Sequence, residues 1–127
     1  MSARTPISTD AAPAAIGPYS QAIRHDGTLY CSGSIPLDAE GTTVGSTPAE
    51  QLDQCLENLS AVAEAGGTTL ARALRLTIYT TRLDDFAAIN EAYAGWFDSD
   101  PPARAAVGVS ALPKGVLVEV DAIIAVS

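Results

Sequence analysis

Apolar and polar residues follow two different periods along this chain, and the period changes wherever glycine or proline intervenes. From Leu52 onward, Cys55, Leu56, Leu59, Val62 and Ala63 recur at i, i+3, i+4 and i+7 spacing, the mark of one buried helix face. The start of that helix is written in Thr47-Pro48-Ala49-Glu50: an N-cap threonine, a proline at the first helical position and a glutamate placed to close a capping box. Gly66-Gly67 ends it. The spacing predicts a second helix over about residues 84–97, with Phe86, Ile89, Asn90, Tyr93, Trp96 and Phe97 on its inner stripe. Asn90 breaks that stripe. A buried amide needs partners, so Asn90 is expected to bond backbone groups of a nearby loop, with ligand contact as the other reading.

Elsewhere the period is two. Residues 16–24 and 28–35 flank Asp26-Gly27 and read as a β-hairpin whose far ends bring Tyr19, Ser32 and Ser34 together. Leu74, Leu76 and Ile78 alternate with Arg75, Thr77 and Tyr79 in a further strand. Two strands close the chain on either side of Leu112-Pro113-Lys114-Gly115. Paired as a hairpin, they put Val109 opposite Val118, Val107 opposite Val120 and Ala105 opposite Ala122 on one apolar face. Arg104, Glu119 and Asp121 then share the other face. The resulting order, ββαβαββ, predicts a two-layer α+β sandwich: a mixed sheet with two helices on one face. The opposite face, with few charges among small residues, has the composition of a surface buried against other subunits around a polar pocket. In that register Arg104 and Glu119 stand roughly 13 Å apart along the strands, so a site using both is expected across an interface between copies. Glu119 and Asp121 as ion-paired interface carboxylates is the competing reading.

The bulk properties narrow the chemistry. A chain of 127 residues is read as a single domain over 1–127. Its net charge of −8, from 7 basic and 15 acidic residues, leaves no basic stripe for nucleic acid. No apolar run reaches membrane length and residues 1–15 carry no signal-peptide pattern, so a cytoplasmic location is expected, with no membrane partner. Cys31 and Cys55 are expected as reduced core thiols. With His25 alone beside a turn and no carboxylate cluster at ligand spacing, no metal is expected. The charge of greatest interest is Arg104, entering its strand from Asp100-Pro101-Pro102-Ala103. Prolines fix that approach and bias Asp100 toward extended backbone, and a guanidinium so held suits a carboxylate or phosphate; a plain surface or ion-paired arginine is the alternative.

The segments Ala15-Ile16-Gly17-Pro18-Tyr19-Ser20-Gln21-Ala22, Ser32-Gly33-Ser34-Ile35-Pro36, Asp85-Phe86-Ala87-Ala88-Ile89-Asn90, Pro102-Ala103-Arg104 and Leu112-Pro113-Lys114-Gly115 through Ile123 together resemble the Rid (YjgF) family of reactive-intermediate deaminases. The resemblance runs in order along nearly the whole chain. It implies a chorismate-mutase-like fold, a homotrimer with ligand clefts between subunits, and hydrolysis of 2-imino acids of the 2-aminoacrylate type to 2-oxo acids and ammonia, without a cofactor. It assigns Arg104 to the substrate carboxylate, Glu119 to the catalytic water, Tyr19, Ser32 and Ala106 to substrate contact, and Asn90 to a structural place beside the site. An alternative is a non-catalytic trimer binding a 2-oxo acid; the endoribonuclease activity sometimes attached to such proteins suits the negative charge poorly. Three positions depart from the family pattern. Ala106 stands where a cysteine is familiar, Ser34 where glutamine is usual, and Gly108 where an acidic residue is common, and these smaller residues are expected to widen the pocket.

Overall fold

Six strands form one sheet in the order β1-β2-β3-β6-β4-β5: β1 (Thr5–Ile7), β2 (Ala22–His25), β3 (Thr28–Ser34), β4 (Ala73–Thr80), β5 (Ala103–Gly108) and β6 (Val118–Ala125). The computed structural model describes residues 3–126. Two helices, α1 (Pro48–Ala65) and α2 (Phe86–Ala94), cover one face. Leu52, Cys55, Leu56 and Leu59 of α1 and Ile89 and Tyr93 of α2 pack there on Leu29, Leu76, Ile78, Val118, Val120 and Ile124 of the sheet. The α+β sandwich expected from periodicity is therefore present, with an added edge strand, β1.

Local chemistry explains the boundaries. Thr47 Oγ1 accepts the Glu50 amide at 3.2 Å while Glu50 Oε1 accepts the Thr47 amide at 3.2 Å, completing the capping box. At the other end Arg24 donates from Nη1 to the Gly66 carbonyl at 3.2 Å, placing positive charge at the helix C-terminus. Asp26 and Gly27 both take positive φ, 50° and 79°, as the tight β2–β3 turn requires. Asp100 also departs from the extended geometry expected before proline: its φ is +50°, a left-handed turn conformation that aspartate tolerates.

β5 and β6 are not a hairpin. β5 runs parallel to β4 at the sheet edge, with Leu76 beside Arg104 and Tyr79 beside Val107, whereas β6 inserts antiparallel between β3 and β4. The helix α2 between β4 and β5 makes a crossover connection, which delivers parallel strands. β6, with Val118, Val120, Ala122 and Ile124 all buried, takes the place against the helices. Arg104 lies in register with fully buried Leu76, so it faces α2. Val107, expected on the helix face, instead lies on the open face and is 40% exposed.

Candidate active site in two clefts

Arg104 sits on the helix-facing side of β5, and one face of α2 is built around it. Phe86, Asn90 and Tyr93, at i, i+4 and i+7, all reach its guanidinium. Nη1 donates to Asn90 Oδ1 at 2.7 Å, and Cζ lies 4.8 Å from the Tyr93 ring centre and 5.2 Å from that of Phe86. Asn90 is exposed, not buried, and its partner is Arg104, not loop backbone. Arg104, Asn90 and Tyr93 line a cleft of about 420 Å3 together with Ala94, Phe97, Pro101 and Pro102. Ala106 lies two residues further along the same face of β5, in register with Ile78, and is exposed.

Glu119 points the other way. Its neighbours Val118 and Val120 are buried in the core, and it lies in register with Tyr79, on the open face. It lines a separate cleft of about 310 Å3 with Ile16, Tyr19, Ser32, Gly33, Ile35 and Pro113. Gly33 leaves room for the Glu119 carboxylate, which a Cβ at that position would displace. Burial, and then the negative charge of Asp121, raise the Glu119 pKa above the ordinary 4.5. Asp121 is itself held by Tyr79, whose hydroxyl donates to Oδ2 at 3.0 Å.

Tyr19 and Ser32 fall in this second cleft with different hydrogen-bonding capacity. Ser32 Oγ spends its proton on the Ser20 carbonyl at 2.6 Å, so toward a ligand it can only accept. Tyr19, 45% exposed, accepts from the Ile16 amide at 3.2 Å and keeps its own proton to donate. Gln21 steadies this region: its amide accepts from Thr9 N at 2.7 Å and donates to Pro13 O at 2.8 Å.

The single-chain geometry thus brings Asn90 to Arg104, and Tyr19 and Ser32 to Glu119, and keeps the two sets apart. Arg104 and Glu119 are two strands and three residues out of step, about 14 Å at the backbone, with the sheet between their side chains. The separation expected from sequence survives, but its cause is the sheet itself and not a shared face. Ser34 lines a cavity of about 40 Å3 that adjoins the Glu119 cleft, the two sharing Ile16, Tyr19, Ser32, Gly33 and Ile35. At Gly108 the expected widening finds no support, because the space beside it is occupied by Leu83, whose Cδ2 would lie 3.2 Å from an added Cβ. Cys31 and Cys55 are free and buried, and burial, then Asp121, push the Cys31 thiol up to about 12. Among the described residues no group of three or more His, Cys, Asp or Glu gathers as for a metal, and no helix is long and apolar enough to cross a membrane.

Residues 9–126 match the family described as Endoribonuclease L-PSP. The chain is 48% identical over 123 residues to the RutC family protein y4sK of Sinorhizobium fredii, covering 96% of this chain and 98% of that one. The chain belongs to the Rid family. It is also 44% identical over 118 residues to the 2-iminobutanoate/2-iminopropanoate deaminase of Capra hircus, covering 92% and 86% of the two chains. The Rid family protein YyfA of Yersinia pestis superimposes with a TM-score of 0.92 at 43% identity, covering 97% of this chain and 99% of that one. Membership accounts for the two-helix mixed-sheet architecture and places the chain among proteins that include deaminases of 2-imino acids.

Proposed function

We propose that the protein hydrolyses 2-imino acids to 2-oxo acids and ammonia, in a homotrimer whose sites join the Arg104 cleft of one copy to the Glu119 cleft of the next. The observation that carries this reading is the sorting of the family-matched residues into two separate clefts, one holding the cation for a carboxylate and the other a carboxylate of raised pKa. Neither cleft alone offers both groups.

The chemistry needs little else. Arg104, oriented by Asn90, clamps the substrate carboxylate with charge-assisted hydrogen bonds and so fixes the adjacent imine carbon. Glu119 orients a water and takes its proton as oxygen adds to that carbon, giving a carbinolamine. Glu119 passes that proton to nitrogen and then carries the hydroxyl proton the same way; as the C–N bond breaks the C=O forms, and a 2-oxo acid and ammonia leave. The Tyr19 hydroxyl, with a proton to spare, can donate to the substrate.

Imino acids generated in situ by an amino-acid oxidase provide the test. The wild type is expected to accelerate loss of the imine, and Arg104→Ala to abolish that acceleration. No acceleration by the wild type across a panel of imines, or equal acceleration by the variant, contradicts the proposal. A purely 2-oxo-acid-binding role would give Arg104-dependent binding without turnover.

A further inference from the structure

We propose that Phe86 and Tyr93 are positioning residues for Arg104: with Asn90 they form an aromatic seat on α2 that fixes the guanidinium before substrate arrives. The significance for catalysis rests on the deaminase reading, but the seat itself does not. An exposed arginine at a sheet edge is ordinarily mobile, and ordering its long side chain opposes any contact that needs it. Here two rings lie within 5.2 Å of Cζ, close enough for cation–π attraction, and together they constrain the guanidinium on the α2 side. Asn90 Oδ1 holds Nη1 at 2.7 Å and so fixes the remaining rotation. No other side chain among the described residues hydrogen-bonds the guanidinium, which leaves its other donors for a carboxylate.

The Tyr93 ring is held by its packing. Tyr93 is 5% exposed and packs on Phe97 with ring centres 5.0 Å apart. Its hydroxyl is buried without a hydrogen-bond partner among the described residues. The hydroxyl therefore contributes no bond to the seat, and the ring alone meets Arg104. Support of Arg104 is a task that phenylalanine can perform and leucine cannot.

The test uses the full chain, labelled with 15N, and follows the Arg104 Nε–H resonance, identified by its disappearance in Arg104→Ala. In the wild type it is expected to be displaced by the aromatic ring currents. Tyr93→Leu should move it to the position of a free arginine, Tyr93→Phe should hold it in place, and Phe86→Leu should move it part of the way. In turnover of an imino acid, Tyr93→Leu should raise KM about tenfold while kcat falls far less, as expected for loss of roughly one cation–π contact on a binding group. Tyr93→Phe should recover most of that loss. A general packing defect would not produce this split or this rescue. An unmoved resonance in both leucine variants overturns the proposal, as does an unchanged KM in Tyr93→Leu. Should Tyr93→Leu fail to fold, Phe86→Leu carries both measurements. If the wild type turns over no imine, the deaminase reading falls, and the resonance still decides the seat.

Discussion

Glu119 is the residue whose chemistry depends most on its surroundings. Burial is the larger cause of its raised pKa, and the like charge of Asp121 adds to it. A base must be ionised to accept a proton, so activity is lost as pH falls, and the acid limb of the kcat/KM profile should lie above pH 4.5, the ordinary value for glutamate. Asp121→Asn removes one of the two causes, and the limb should move to lower pH without reaching the ordinary position. An unmoved limb would exclude Asp121 from the tuning. The same shift has a consequence for stability of opposite sign to that of a paired carboxylate. Because folding raises this pKa, the native state favours the protonated form, and the contribution weakens as pH rises through the raised value. Arg104 presents the complementary case, since its charge is fixed and only its orientation is adjustable.

At the scale of elements, the helices do more than cover the core. α1 fastens the segments before β6 and after β3 through buried amides: Gln51 Oε1 accepts the Leu117 amide at 2.7 Å, and Asn58 donates to Ile35 O at 3.2 Å and Leu37 O at 2.9 Å. The Gln51 bond sets the entry to the strand that carries Glu119, and the Asn58 bonds hold the segment that leaves β3, as α2 sets the place of Arg104. Thr47→Ala, which removes the α1 cap, should cost about 1 kcal/mol in denaturant unfolding; a loss within error would mean that the capping box contributes nothing. The two helices and the first hairpin were legible from the sequence because capping chemistry, a turn pair and a single period coincide there. The partner of β5 was not. Ala105, Val107 and Val109 form an apolar row as regular as that of β6, and a row of small residues does not declare which face or neighbour it meets. That misassignment put Arg104 on the wrong face. Its i, i+4, i+7 companions were visible, but Phe86 and Tyr93 at that spacing also read as ordinary core.

For the molecule as a whole, the sheet has one covered face and one open face. The open side holds Tyr30 (49% exposed), Val107 and half-buried Ile123 beside the Tyr79–Asp121 pair. Such a mixed surface suits contact with further copies of the chain, and a trimer would let the Glu119 cleft of one copy meet the Arg104 cleft of another. The family resemblance was readable at separated motifs, whereas the partition of the site between faces required the sheet order. The sharpest test mixes two inactive variants, Arg104→Ala and Glu119→Gln, by co-refolding, with native mass spectrometry to confirm mixed trimers. If each site takes its arginine and glutamate from different copies, random assembly at equal ratio restores about one quarter of the wild-type imine turnover. Mixed trimers no more active than either variant alone would contradict a site shared between copies.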